Sequence, residues 1–147
     1  MKFSSRAIYG MQAVLGLARR HGRGPTFLKD LAEAEGLPAG YLEQQLSLLR
    51  RSGIVQAVRG ARGGYSLARK PSEITVLAVL VALEGPLVLA ECPTGSGCCG
   101  NPEICALQEL WAEGTRALNA TFGAVSLADM VERHPAKDGE VLVGATA

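Results

Sequence analysis

Apolar residues recur every three or four positions along most of this chain, which is the spacing of one buried face of an α-helix. Together with the serines, glycines and prolines that interrupt it, this pattern predicts six helices. They cover approximately residues 5–20, 27–35, 38–52, 74–83, 101–122 and a short stretch after Ser126. Two short runs after the third helix, residues 54–58 and 65–68, instead predict a β-hairpin. The pattern therefore predicts a mainly α fold.

The fourth and fifth predicted helices carry more apolar surface than one small domain can bury. The fourth, with Ser72 as its predicted cap, is apolar on nearly every side, which predicts a buried packing helix. The fifth has a long apolar stripe formed by Leu107, Leu110, Trp111 and Leu118. We therefore expect the fifth helix to pair with a second copy of the chain. The alternative is that it packs back onto its own domain.

The second and third helices form the pattern of a helix-turn-helix, whose second helix enters the major groove of DNA. Leu42, Leu46 and Leu49 are the predicted buried stripe of that second helix. Its opposite face carries Gly40, Glu43, Gln44, Ser47 and Arg51. Glutamine can form two hydrogen bonds with adenine, and a carboxylate can accept one from the amino group of cytosine. Taken by itself, this helix is equally compatible with an ordinary amphipathic surface helix.

A turn rich in glycine and arginine joins the two predicted strands, with the sequence Arg59-Gly60-Ala61-Arg62-Gly63-Gly64. The glycines permit the positive φ angles of a tight hairpin, and the arginines place positive charge at its tip. A β-hairpin directly after a recognition helix is a wing, which can reach phosphates or a narrow minor groove. The segment lacks the Gly-Lys-Ser/Thr ending of a phosphate-binding loop. We therefore predict DNA contacts from Arg59, Arg62, Gly63 and Gly64. The alternative is an ordinary surface hairpin.

Charge is divided unevenly along the 147-residue chain, although the net charge is only +1. Residues 1–70 contain 12 Lys/Arg and 4 Asp/Glu, whereas residues 71–147 contain 3 and 10. A basic first half suits a polyanionic partner. We therefore predict a winged helix-turn-helix DNA-binding domain in residues 1–70. Residues 71–134 are predicted to form the packing helix, a cysteine loop and the dimerisation helix, and residues 135–147 a flexible tail.

Membrane, secreted and catalytic functions receive no support from the sequence. The longest apolar run, residues 74–83, is about half as long as a membrane-spanning helix requires. The N-terminus lacks the apolar core of a signal peptide, so we expect a cytoplasmic location. No nucleophile–base pair or paired carboxylates indicate catalysis, so we predict that the chain is not an enzyme. His21 and His134 are interpreted as surface residues.

All four cysteines lie within one stretch of 14 residues, as Cys92, Cys98, Cys99 and Cys105. Thiolates bind iron–sulfur clusters, zinc or copper(I), and in a reducing compartment clustered cysteines more often bind metal or respond to redox than form disulfides. The stretch has no Cys-x-x-Cys pair of the kind that closes a structural zinc site, which favours an iron–sulfur cluster. Adjacent Cys98 and Cys99 cannot easily bind the same small ion, so one is expected to be spare. The alternatives are a zinc site, free thiols without a metal, or a redox disulfide.

Three stretches resemble the iron–sulfur cluster regulator family of winged-helix transcription repressors, which includes IscR-like and NsrR-like proteins. They are residues 3–10, residues 41–44 and the wing at residues 59–67. The resemblance extends over approximately residues 1–134. It implies a homodimeric repressor, or dual regulator, that binds a palindromic promoter site and pairs its subunits through the helix at residues 103–122. It also places Tyr41, Glu43 and Gln44 on the recognition helix and Arg59 in the wing.

Members of that family that bind a cluster use three cysteines with five residues between successive ones. Here five residues separate Cys92 from Cys98 and five separate Cys99 from Cys105, so Cys92 and Cys105 match and the middle ligand is Cys98 or Cys99. The family's fourth ligand is a histidine at the position of Gln108, or an acid at about the position of Ile8.

These features predict a DNA-binding regulator whose promoter binding is modulated by an iron–sulfur cluster, of 2Fe–2S or 4Fe–4S type, or by thiol redox state. One alternative is the same regulator with zinc or a thiol switch and no cluster. The other is a small iron–sulfur electron-transfer protein.

Overall fold

The computed structural model describes residues 2–90 and 102–135. Within these ranges the chain forms six α-helices and one antiparallel β-hairpin, which confirms the predicted mainly α fold class. In chain order the elements are α1 (Ser5–Arg19), α2 (Leu28–Glu35), α3 (Ala39–Arg51), β1 (Val55–Val58), β2 (Gly64–Leu67), a 3₁₀ turn (Pro71–Glu73), α4 (Val76–Glu84), α5 (Pro102–Gly123) and α6 (Leu127–Arg133). The predicted tail after residue 135 lies outside the described residues, as does most of the predicted cysteine loop.

The main hydrophobic core consists of aliphatic side chains, as a chain with 5% aromatic residues requires. Leu42, Leu46 and Leu49 of α3 are all fully buried in it, as the periodicity predicted. Ile74, before α4, and Leu127, in α6, are fully buried in the same core. The elements after residue 70 thus help to form the core that supports α3.

The predicted start of the fourth helix was wrong by two residues. Thr75, not Ser72, caps α4 by accepting a hydrogen bond from the N–H of Ala78 at 3.1 Å. After the 3₁₀ turn, Ile74 and Thr75 are extended because they pair with the start of α6. The N–H of Val76 donates to the carbonyl of Val125, and the N–H of Leu127 donates to the carbonyl of Ile74, both at 2.9 Å.

Helix α6 packs against α1 and the 3₁₀ turn. Its N-terminus is a capping box, in which the N–H of Asp129 donates to Ser126 Oγ at 3.1 Å and the N–H of Ser126 donates to Asp129 Oδ2 at 2.8 Å. The backbone hydrogen bond from Ser126 is the main reason that the pKa of the Asp129 carboxyl lies below its ordinary value. The sequence signal at Ser126 is therefore confirmed as a helix start.

Helix α5 packs against α4, mainly through its C-terminal half. Leu118 and Phe122 contact a second apolar cluster formed by Ala7, Val76, Leu80 and Leu87. Leu107 and Leu110, nearer the start of α5, are 41% and 61% exposed. The fourth helix is less buried than predicted, because Val81 is 38% exposed. No helix among the described residues is both long and apolar enough to span a membrane.

Candidate nucleic-acid interface

Helix α3 presents most of the predicted base-reading residues to solvent. Gly40, Glu43, Gln44 and Arg51 are exposed, while Tyr41 and Ser47 are half-buried. The first turn of α3 contains no acid and the last contains Arg50 and Arg51, both exposed. This outer face, opposite the leucine stripe, is thus available to a groove of DNA, and positive charge gathers at its C-terminal end.

The predicted hairpin forms directly after α3, with Val55 opposite Leu67 and Val58 opposite Gly64. Val55 and Leu67 are buried, which holds the base of the hairpin on the core and in contact with α3. Arg59 and Arg62 are exposed in the turn. The hairpin therefore has the shape of a wing, with two cations at its tip.

Gly63 and Gly64 allow the backbone of the wing to pack closely, because neither has a side chain. Gly63 is buried, donates its N–H to the carbonyl of Gly60 at 2.9 Å, and leaves no room for a side chain beside the carbonyl of Val58. Gly64 has a φ of +137° and lies directly against the carbonyl of Thr26. Both were predicted to contact DNA, and the structure gives them an additional role in forming the turn.

The wing is also fastened to the connection between α1 and α2. Thr26 and Tyr65 exchange two backbone hydrogen bonds, each 2.8 Å long. No sequence signal predicted this bridge, because Thr26 lies outside every periodic run. It fixes the direction in which the hairpin leaves the core.

Tyr9 of α1 contacts the recognition helix, although no helix-turn-helix pattern in the sequence indicated it. Its ring meets that of Tyr41 edge-on, with centroids 5.6 Å apart and planes at 88°. Tyr41 lies in the first turn of α3, and Tyr9 remains 37% exposed. Tyr9 was visible only as part of a family-like motif, because a contact between α1 and α3 depends on how the helices pack.

A model of the Rrf2 family, described as an iron-dependent transcriptional regulator, matches residues 3–133. This chain belongs to the Rrf2 family. It is 37% identical over 130 residues to the HTH-type transcriptional regulator CymR of Bacillus subtilis, covering 88% of this chain and 89% of that relative. Over such a length, this identity supports a shared fold and a shared class of function.

Solved structures of two Rrf2-type regulators match the fold. The structure of CymR, the global cysteine regulator of B. subtilis, superposes with a TM-score of 0.78 at 34% identity, covering 90% of this chain and 98% of that one. The structure of T. potens IscR superposes with a TM-score of 0.72 at 34% identity, covering 100% and 94%. Relatives named CymR and IscR are described as HTH-type transcriptional regulators, which confirms the fold and the functional class predicted from the sequence.

Of the four cysteines in this Rrf2 protein, Cys105 alone lies within the described residues. It is half-buried, in the first turns of α5. Cys92, Cys98 and Cys99 lie outside the described ranges, and the part of the chain that is described contains no group of three or more potential metal ligands. Of the two positions considered for a fourth ligand, Ile8 is 57% exposed and has no donor atom, and Gln108 is half-buried. His21 and His134 are exposed.

Proposed function

We propose that this Rrf2 protein is a homodimeric transcriptional regulator that binds a palindromic promoter site and works in the cytoplasm, where that DNA is found. The observation that carries the proposal is the exposed face of α3 followed directly by a wing with Arg59 and Arg62 at its tip. Gln44 and Glu43 are the proposed base-reading residues, since both side chains are exposed midway along α3. Arg59 and Arg62 are the proposed contacts to phosphate or the minor groove.

Two substitutions separate base reading from phosphate binding. Gln44→Ala should weaken binding to the preferred site by about 5- to 100-fold, while binding to unrelated DNA stays the same. Arg59→Ala should weaken binding to both, and should reduce the slope of log affinity against log salt by about 0.9 if the lost contact is to one phosphate. Fluorescence anisotropy at several salt concentrations measures both effects on a duplex enriched from a random library by the wild-type protein.

Arg116→Ala is the matched control for Arg59→Ala, because Arg116 is also an exposed arginine but lies on α5. It should leave the affinity and its salt dependence unchanged. If Arg59→Ala and Gln44→Ala both bind the enriched duplex as tightly as the wild type, the proposed interface is wrong.

The proposed dimer rests on the outward side of α5. Leu110 is the most exposed large apolar residue of the described chain, and Leu107 precedes it by one helical turn. Burial against a second copy would remove this apolar surface from water. Leu110→Glu should therefore convert the dimer to a monomer in sedimentation experiments. Ala112→Glu is the control, since Ala112 is also exposed but points nearly opposite to Leu110 on the helix. A Leu110→Glu protein that remains dimeric would place the interface elsewhere.

The proposed signal is received by the cysteines. Four thiols within 14 residues form a donor set that fits an iron–sulfur cluster, and Cys105 lies near the start of α5. Cys92, Cys105 and either Cys98 or Cys99 would hold the cluster. When bound, the cluster would supply sensitivity to oxidation or to iron supply. Because Ile8 has no donor atom, a ligand other than an acid at that position has to complete the set.

Anaerobic purification tests this sensor directly. The wild-type protein should be coloured and contain iron and acid-labile sulfide, and Mössbauer spectra should distinguish 2Fe–2S from 4Fe–4S. Cys105→Ala should lose the cluster, whereas only one of Cys98→Ala and Cys99→Ala should do so. Retention of the full cluster in Cys105→Ala would contradict the ligand assignment.

A thiol switch without a cluster is the second candidate, favoured by the 37% identity to CymR, the global cysteine regulator of B. subtilis. It predicts a colourless anaerobic protein without iron or sulfide. Its affinity for the enriched duplex should change on oxidation and recover with a thiol reductant. Substituting all four cysteines with serine should abolish that response.

A further inference from the structure

A short strap, residues 86–90, connects α4 to the cysteine-bearing stretch and is bonded to the side of α5. Asn119 Nδ2 donates to the carbonyl of Leu87 at 2.9 Å. The N–H of Leu89 donates to Thr115 Oγ1 at 3.1 Å. Thr115 and Asn119, one helical turn apart on α5, thus form hydrogen bonds with the backbone of the strap at Leu89 and Leu87.

The strap is also anchored in the body that carries the recognition helix. Leu87 is 4% exposed and packs with Ala7 of α1 and with Val76 and Leu80 of α4. Gly114 of α5 leaves room for Leu89, because a Cβ atom at this position would lie 2.7 Å from Leu89 Cδ1. The strap therefore connects the core to α5 at one place along the helix, between Gly114 and Asn119.

The described contacts of α5 with the body lie mainly in its C-terminal half, where Phe122 also meets Phe3 with ring centroids 5.9 Å apart. The twelve residues of α5 that precede Gly114, residues 102–113, are called the N-terminal arm. At 1.5 Å per residue this arm is about 18 Å long, so a rotation of about 10° at its base would move its end by about 3 Å. Cys105, Leu107 and Leu110 all lie on this arm.

We propose that Thr115 and Asn119 are positioning residues that fix the angle of α5 and, through the paired arm, the separation of the two recognition helices in the dimer. This inference rests on the proposed dimeric DNA-binding function. The two hydrogen bonds hold α5 to the strap at the base of the arm, where a small change of angle is amplified toward the dimer contact. Cluster binding or oxidation at Cys105 acts near the N-terminal end of the same arm. The response of DNA binding to the state of the cysteines therefore also depends on Thr115 and Asn119.

The test compares spacing selectivity with half-site affinity. Three duplexes are required: the enriched palindromic site, the same site with one base pair inserted at its centre, and a single half-site. The insertion rotates one half-site by about 35° and shifts it by about 3.4 Å relative to the other. The wild type should prefer the unmodified site, and this preference measures how rigidly the two recognition helices are held.

Thr115→Val and Asn119→Leu each remove the hydrogen-bonding group and keep the approximate size of the side chain. Each should reduce the preference for native spacing by about three- to tenfold, and the double variant by more. The affinity for the single half-site and the dimer content should not change. Thr115→Ser, which keeps the hydroxyl, should restore the preference.

Thr121→Val is the matched control, because the hydroxyl of Thr121 donates to the carbonyl of Ala117 within α5 and is exposed. It should behave as the wild type. Spacing selectivity that is unchanged in the double variant would overturn the positioning role. A wild type that binds both full duplexes equally would instead refute the proposed palindromic recognition, and the positioning role would fall with it.

A second measurement keeps the inference testable if the double variant folds poorly. Gly114→Ala retains both hydrogen-bonding side chains and favours the helix, but its new methyl group presses on Leu89. It should fold at least as stably as the wild type and still alter the ratio of affinities for the two full duplexes by severalfold. An unchanged ratio in this stable protein would count against the strap as a positioning element.

Discussion

The phenol ring of Tyr9 on α1 meets the ring of Tyr41 at the start of α3 edge-on, at a centroid separation of 5.6 Å. Pro38 precedes α3 and supplies no side-chain hydrogen bond, so the first turn of this helix has no side-chain cap. The aromatic contact therefore helps to set where the recognition helix begins relative to α1.

Tyr9→Ala should weaken binding to the enriched duplex by about two- to tenfold, because an edge-to-face pair contributes about 0.5–1.5 kcal/mol. Tyr9→Phe keeps the ring and should bind as the wild type does. Fluorescence anisotropy measures the affinities, and denaturant unfolding shows whether stability falls with them. Equal DNA affinity for the wild type and Tyr9→Ala would mean that the ring contact has no influence on recognition.

The wing provides a second prediction, at Gly64. This residue combines a φ of +137° with direct contact to the carbonyl of Thr26. Gly64→Ala should cost about 1–3 kcal/mol in the free energy of unfolding and should weaken DNA binding by displacing the hairpin. Gly60→Ala is the control, since Gly60 has a φ of +110° but no atoms near the position of a Cβ. If both variants lose the same DNA affinity, the contact with Thr26 is not what orients the wing.

Gln45 is a buried polar residue that the sequence did not reveal. It is 3% exposed, its Nε2 lies 3.5 Å from the carbonyl of Tyr41, and its Oε1 has no hydrogen-bond partner among the described residues. Gln45→Met should raise the free energy of unfolding by about 1–2 kcal/mol, because it removes an unsatisfied buried group while keeping the volume. DNA affinity should stay the same.

The neighbouring Gln44 offers the control for this prediction. It is exposed, so Gln44→Met should change stability by less than about 0.5 kcal/mol while reducing DNA affinity. Urea unfolding followed by circular dichroism distinguishes the two. A Gln45→Met protein that is less stable than the wild type would show that the amide is needed in the core.

The capping box of α6 predicts a response to acid. Two hydrogen bonds from Ser126 lower the pKa of the Asp129 carboxyl below the ordinary value of 3.8. The bond from its backbone N–H has the larger effect, and the bond from its hydroxyl the smaller. The folded state therefore binds this proton less tightly than the unfolded state. The stabilisation is complete above pH 3.8 and is lost as the pH falls through the lowered pKa.

Asp129→Asn should accordingly melt at a lower temperature than the wild type near neutral pH. The two melting temperatures should converge as the pH falls below about 3.8. Thermal unfolding between about pH 2 and about pH 7 tests this, with Glu132→Gln, an exposed acid on the same helix, as the control. A difference that stays constant across this range would assign the effect to packing instead.

Periodicity predicted Leu42, Leu46 and Leu49 as the buried stripe of α3 because helix geometry alone places such residues on one side. Ser126 predicted the start of α6 for a similar reason, since the hydrogen bonds of a helix cap join residues only three apart. Thr75 was missed as the cap of α4, because the chain there is held extended by pairing with Val125 and Leu127, about fifty residues later. A local pattern contains no information about such a partner.

Local patterns in the sequence were enough to predict the winged helix-turn-helix, the exposed face of α3, the arginine-tipped hairpin and the grouping of four cysteines. Each of these depends on contacts or spacings within a few residues. Three contacts became apparent only from the packing of the folded chain: Tyr9 against Tyr41, Thr26 against the wing, and Thr115 and Asn119 against the strap. These pairs join elements that are distant in the chain, and their meeting depends on how the helices cross, which the order of apolar and polar residues does not specify.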